Sequence, residues 1–272
     1  MDFPYTAVPR RGSEFNNRCL RMIIVRYIYS ILCWVFIIAD TAFWGTLSIL
    51  SIFVSPGGTM SKFCERSWGR TILWACRIRV SVSGLENIRA DQVQIFASNH
   101  QSFFDIWVLC SIIPVRFGWI IKKELKKIPF LNAHMKIMGY VTIDRSDREK
   151  SLASMDQAAE QIRNGSRIVI FPEGTRSRDG RLQPVKKGLF HLCLKTRVPV
   201  IPIYIHGTVN IMKPDSLLIR SGTIHVAIGK PIPTTGYQED ALDEAVADFQ
   251  DVMLGLQRDT LAKLGRSGSR DN

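Results

Sequence analysis

The run "MIIVRYIYSILCWVFIIADTAFWGTLSILSIFV", Met22 to Val54, is apolar with only two charges, Arg26 and Asp40. As one α-helix it would be about 50 Å long, well beyond the ~30 Å hydrocarbon core of a bilayer. Asp40 divides the stretch into two apolar runs, each too short to span alone. A signal peptide fits poorly too, because the run is long and lacks a clean small-residue cleavage site. Two arrangements are open: a single span carrying Asp40, or a helix lying in one leaflet.

The flanks favour the second. Arg10, Arg11, Arg18 and Arg21 precede the run, and Lys62, Arg66, Arg70, Arg77 and Arg79 follow it. A simple span has one less basic side, so both ends are expected on the cytoplasmic face. Beyond Pro56, Met60, Phe63, Cys64, Trp68, Ile72, Trp74 and Ala75 recur near helical spacing among lysine and arginine. That pattern suits an anionic membrane surface. Residues 1–78 are thus expected to form a tail and a membrane-attached pair of helices, with a hinge at "SPGG" (55–58).

After Arg77 strand and helix patterns alternate. "RVSVS", "QVQIFAS", "RFGWII", "YVTID", "RIVIF", "VPVIPIYIHG" and "GTIHVAIG" read as strands. "FDIWVLCSII", residues 148–164, "KKGLFHLCLK" and residues 238–262 read as helices, and "KKELKKIPFLNAHMKIMG" as a broken basic one. The prolines of "VPVIPIYIHG" suggest a sheet margin or a bulged entry. This order predicts an α/β domain over 79–264, with a mixed, largely parallel sheet flanked by helices. Residues 265–272 are expected to be a flexible tail.

A formal charge of +12 calls for an anionic partner: membrane surface, phosphorylated substrate or nucleic acid. Nucleic acid is disfavoured, because the basic residues gather beside an apolar helix and a compact turn. The six cysteines form no CxxC pair and no zinc spacing, so free thiols in a reducing compartment are expected and no metal site is.

Two segments can carry chemistry. In "NHQSFFD" (99–105) a strand end, a turn at Gln101 and Ser102 and a helix beginning near Phe103 would bring Asp105 to His100. The carboxylate would accept Nδ1–H and leave Nε2 free as a base. Alternatively the turn only caps a helix. In "FPEGTRSRDG" (171–180), Pro172 and Gly174 shape a turn, Thr175 and Ser177 offer donors, and Arg176 and Arg178 can fork onto phosphate. Glu173 could hold an arginine or bind a hydroxyl. No GxSxG elbow supports a serine hydrolase. The histidines at 134, 191, 206 and 225 have no spaced partners and read as structural.

"NHQSFFD", "GYVTIDR", "FPEGTRS" and "VPVIPI", in this order and at these separations, resemble the four motif blocks of the lysophosphatidic acid acyltransferases, the 1-acyl-sn-glycerol-3-phosphate acyltransferase family. The resemblance covers about residues 60–230. It implies an enzyme that moves an acyl group from acyl-CoA or acyl-carrier protein to the sn-2 hydroxyl of lysophosphatidic acid, giving phosphatidic acid. It implies His100 as general base and Asp105 as its orienter. Glu173, Gly174, Thr175 and Arg176, with Arg145 and Lys122, would hold the glycerol phosphate. Val198, Pro199, Ile201 and Pro202 would line part of the acyl-donor or acyl-chain site. No metal or redox cofactor is implied, and the expected partners are membrane lipids, the lysolipid and the acyl donor. The expected place is the cytoplasmic face of a membrane, the bacterial inner membrane foremost. Alternatives are another lyso-lipid acceptor, such as a lyso-aminolipid, or a non-catalytic lipid-binding module.

Overall fold

The structure is a computed structural model that describes residues 11–55, 58–122, 135, 138–143, 148–238 and 241–268. The elements in chain order are α1 (Arg11–Leu50), α2 (Thr59–Ala75), β1 (Ile78–Ser83), β2 (Ile95–Ser98), α3 (Phe104–Ile112), β3 (Gly118–Lys122), β4 (Val141–Ile143), α4 (Arg148–Arg163), β5 (Ile168–Ile170), α5 (Gly188–Thr196), β6 (Val200–His206), α6 (Thr208–Ile211), β7 (Gly222–Ile228) and α7 (Leu242–Gly268). Among the described residues the strands form one seven-stranded sheet in the order β1-β7-β6-β2-β5-β3-β4. Neighbours are parallel except β6 and β7. This is the mixed, largely parallel sheet the alternation of patterns predicts. The broken basic helix expected over "KKELKKIPFLNAHMKIMG" falls mostly outside the described residues. The last helix reaches Gly268, into the stretch expected to be a tail.

Strand side chains alternate between two cores. Phe96, Val169, Ile201, Ile203 and Ile205 point to one face, under Ile72, Phe104, Trp107 and Leu109 of α2 and α3. Ile95, Ala97, Ile168, Ile170, Val200 and Tyr204 point to the other, under Ala158, Ile162, Phe190, Phe249 and Met253 of α4, α5 and α7. The strands read as continuous apolar runs because helices cover both faces.

The proline-bearing strand corrects one expectation. β6 is no margin; it lies inside the sheet, between β2 and β7. Pro202 pairs with Ala97 of β2, and its carbonyl accepts Gly229 N on the other side. β7 ends at Ile228, opposite Ile203, and contact resumes where Val200 bridges Ile232. At Pro202 the neighbouring ladder is interrupted, so the missing N–H costs no strand bond.

Asp40 does not break the N-terminal segment: α1 is one helix of 40 residues. The Asp40 carboxylate accepts a hydrogen bond from Thr71 Oγ1 of α2 (2.8 Å), and Trp68 Nε1 donates to Thr41 Oγ1 (2.9 Å). On the same side Tyr29 donates to Cys76 O (2.7 Å), Trp34 Nε1 to Leu217 O (2.8 Å) and Ile219 N to Ser30 Oγ (3.0 Å). Other positions of α1, among them Ile24, Ile28, Ile31, Val35 and Ile38, are exposed. The span Leu20–Leu50 is long and apolar enough to cross a membrane by length and composition. In α2 the expected apolar face divides: Cys64 and Ile72 are buried, whereas Met60, Phe63 and Trp74 face outward. Gly69 lets α2 close on α3, since a Cβ there would lie 2.5 Å from Trp107 O.

Candidate active site

β2 and β5 are parallel neighbours, with Ala97 opposite Ile170. The chain therefore leaves both strands at the same edge of the sheet, the carboxyl edge at which open α/β sheets bind ligands. Residues 99–105 follow β2 and residues 171–180 follow β5, so strand register alone brings the two chemical segments together.

The first segment is pinned by its own polar groups. Asn99 exchanges two hydrogen bonds with Ile205 of β6: its Nδ2 donates to the carbonyl (2.9 Å) and its Oδ1 accepts the amide (2.7 Å). The chain then turns, and α3 starts with Asp105 in its first turn. Asp105 is fully buried, and its Oδ2 accepts the backbone amides of Gln101 (2.6 Å) and Ser102 (2.8 Å). The same oxygen lies 2.8 Å from His100 Nδ1. One carboxylate thus ties the turn before α3 to the imidazole, while the helix's cap residue, Phe103, makes no side-chain cap bond.

The His100 ring is packed as well as bonded. Phe171 lies flat against it, with centroids 4.0 Å apart and planes 12° from parallel. The ring keeps a partly open edge, its side chain being 16% exposed. The two segments are also stitched through the backbone: Ser177 N donates to His100 O (2.7 Å), and Gln101 Nε2 to Gly180 O (2.9 Å).

In the second segment Gly174 has φ +74°, a left-handed turn that an L side chain strains to adopt. A Cβ there would also meet Lys186 Nζ at 2.7 Å. The Lys186 ammonium therefore lies over the turn, with its backbone amide bonded to Pro172 O. Arg176 rests its guanidinium on the Phe103 ring, 4.2 Å from the centroid, and its buried Nη1 has no acceptor among the described residues. Arg178 instead pairs with Asp215 at 3.3 Å. Both arginines line an open cavity of about 560 Å³ with Thr175, Ser177, Asp179, Gln183, Pro214 and Asp215. A guanidinium fixed by an aromatic platform, with a buried N–H to spare, is built to receive an oxyanion.

Glu173 is buried, and its Oε2 has no partner among the described residues. Burial pushes this carboxyl up to about 8; the Asp105 charge adds to the rise, while the backbone amides of Gln183 and His100 oppose it. At neutral pH Glu173 is an acid that can donate a hydrogen bond.

The other expected site residues are placed as follows. Lys122 closes β3, whose partner β5 leads into the site. Arg145 lies outside the described residues. Val198, Pro199, Ile201 and Pro202 lie at the entrance to β6, the end opposite His100: Pro199 O accepts Ile95 N, and Val198 O accepts Thr234 Oγ1. Ile201 and Pro202 pair with Phe96 and Ala97 of β2, so even Pro202 lies level with a residue three positions before the histidine, about 10 Å of strand. Phe103, Phe171 and Lys186 are in the site without having been singled out in the sequence. Phe103 and Phe171 sit within the two motifs, and only their ring packing marks them.

Residues 79–206 match the family model described as Acyltransferase. Over 245 residues the chain is 31% identical to the 1-acyl-sn-glycerol-3-phosphate acyltransferase of Saccharomyces cerevisiae, covering 89% of this chain and 79% of the yeast protein. It is 39% identical over 170 residues to a chloroplastic 1-acyl-sn-glycerol-3-phosphate acyltransferase of Brassica napus, covering 61% of this chain and about half (48%) of that relative. The crystal structure of the 1-acyl-sn-glycerophosphate (LPA) acyltransferase of Thermotoga maritima superposes with a TM-score of 0.75 at 26% identity, covering 86% of this chain and 96% of that one. With a shared fold, and this identity along most of its length, the chain belongs to the 1-acyl-sn-glycerol-3-phosphate acyltransferase family.

Proposed function

We propose that the protein transfers an acyl group from a thioester donor to the sn-2 hydroxyl of lysophosphatidic acid, with His100 as general base. The observation that carries this is the 2.8 Å contact of His100 Nδ1 with a buried Asp105, in a turn whose His100 carbonyl is bonded to Ser177 of the arginine-lined cavity. Asp105 holds the proton on Nδ1, so Nε2 presents its lone pair. Nε2 takes the proton of the acceptor hydroxyl as its oxygen attacks the thioester carbonyl. The C–S bond of the tetrahedral adduct then breaks, and the departing thiolate recovers the proton from His100. The thiolate is a good leaving group, so the scheme has no acyl-enzyme.

The acceptor's phosphate fits the cations gathered here. Arg176, presented on Phe103, supplies the fork, and Lys186 adds a second charge over Gly174, with Thr175 beside them. Arg145 and Lys122 are further proposed contacts. Protonated Glu173 donates to a glycerol or phosphate oxygen. Val198, Pro199, Ile201 and Pro202, at and before the start of β6, are proposed to line part of the acyl-donor or acyl-chain site. The exposed apolar positions of α1 and α2 support attachment to a membrane on its cytosolic side, where a water-soluble donor is delivered. The bacterial inner membrane is the location we test first, by fractionating cells.

The assay supplies purified protein in lipid or detergent with lysophosphatidic acid and a labelled donor, either acyl-CoA or acyl-carrier protein. Labelled phosphatidic acid is the expected product. Acylation of a lyso-aminolipid in preference to lysophosphatidic acid would overturn the acceptor assignment.

A further inference from the structure

The base is held on one more side than the mechanism requires, and the hold reaches into α2. Phe171, flat against His100, is itself stacked on Trp119 of β3, with centroids 5.7 Å apart and planes 25° from parallel. The Trp119 indole N–H then donates to Glu65 Oε1 at 3.3 Å. Glu65 belongs to α2, and its side chain is only 2% exposed. Four groups converge on its carboxylate. Lys62 pairs with Oε2 at 3.0 Å, while Trp119, Tyr140 (3.4 Å) and Cys110 (3.5 Å) donate to Oε1. Lys62 is fixed in turn over the Phe117 ring, 3.9 Å from its centroid.

A buried ion pair of this kind contributes little net stability, because desolvation offsets most of its attraction. Its value lies in geometry: a charged acceptor with several donors admits few orientations of the groups around it. We propose that Glu65, Trp119 and Phe171 are positioning residues that form a column from α2 to the face of the catalytic imidazole. The column fixes the His100 ring plane, so Nε2 is aimed before substrate arrives. Asp105 constrains one edge of the ring and Phe171 one face; together they leave the Nε2 edge and the remaining face to the acceptor. This rests on His100 being the base.

The full-length enzyme is assayed with lysophosphatidic acid and acyl-CoA, and kcat and KM are measured separately together with Tm. Phe171→Leu removes the flat ring at similar volume. Its kcat is expected to fall about 10- to 100-fold with both KM values nearly unchanged, as a misaimed base requires. Phe171→Tyr keeps the stack and should restore most of the rate. Trp119→Phe keeps a ring but loses the bond to Glu65, and should lower kcat by a smaller factor. The double variant Phe171→Leu/Trp119→Phe should be no slower than Phe171→Leu, because both act through one path. If Phe171→Leu does not fold, Trp119→Phe carries the test alone. Wild-type kcat in Phe171→Leu or Trp119→Phe, losses that multiply in the double variant, or a KM rise at constant kcat would each overturn the column. His100→Ala is run alongside: full activity there defeats the base assignment itself, whereas an inactive His100→Ala beside an unaffected Phe171→Leu defeats only the column.

Discussion

A side chain does chemistry here only when its neighbours leave one of its atoms unspent. His100 gives Nδ1 to Asp105 and a face to Phe171, which leaves Nε2. Arg176 gives its face to Phe103 and keeps a buried N–H. We expect Arg176→Ala to raise the KM for lysophosphatidic acid at least about tenfold, the scale of a lost charge-assisted bond. The KM for the acyl donor should stay put, and an effect confined to the donor would place Arg176 elsewhere. Glu173 adds a pH signature. Its carboxyl is pushed up to about 8, so it is mostly neutral at pH 7 and ionises as the pH passes 8, which on the proposed reading puts a charge beside the anionic acceptor. Acceptor KM should therefore climb above about pH 8 in the wild type and stay flat in Glu173→Gln. Stability carries the same sign. Between the ordinary 4.5 and about 8 the folded chain keeps a proton that the unfolded chain has lost. This group thus lowers stability progressively across that window and adds nothing further above it. Thermal unfolding of Glu173→Gln against wild type at pH 5 and pH 8.5 reads this directly, with the variant's advantage larger at the higher pH. The spacing of His100 and Asp105 was legible because both lie in one short turn. The Phe171 stack was not, because the strand pairing of β2 with β5 sets it and no local pattern encodes that register.

At the scale of elements, the two motif loops meet because their strands are parallel neighbours, and the strand and helix patterns made the α/β alternation visible. Pro202 misled at this scale. A proline forbids a ladder bond only where a neighbour offers one, and whether β7 stops at Ile228 cannot be seen from β6. The helix pair shows the same dependence. Asp40 reads as a break in an apolar run, yet Thr71 of the next helix satisfies it and α1 continues. The α2–α3 contact depends on Gly69, whose missing side chain admits Trp107 O. Gly69→Val should destabilise the protein by about 1–3 kcal/mol, the usual cost of overpacking. Chemical or thermal unfolding measures it, and an unchanged midpoint would mean that the helices separate without cost.

For the whole molecule, the hydrophobic N-terminus and the positive charge suit the proposed site, one that would take a lipid from a bilayer and a donor from water. α1 is bonded to the α/β domain along one side and apolar along much of the rest, which suits a body lying against lipid. Changing Ile24, Ile28, Ile31 and Val35 to serine should shift protein from the membrane pellet to the soluble fraction. Undiminished pelleting would contradict attachment through this face. The central claim is that His100, held by Asp105, takes the proton of the acceptor hydroxyl. Its most direct test is the rate of labelled phosphatidic acid formation by His100→Ala, at saturating lysophosphatidic acid and acyl-CoA, in protein whose Tm matches wild type. The account predicts a loss of at least about 100-fold, the scale of a missing general base; a rate near that of wild type would contradict it.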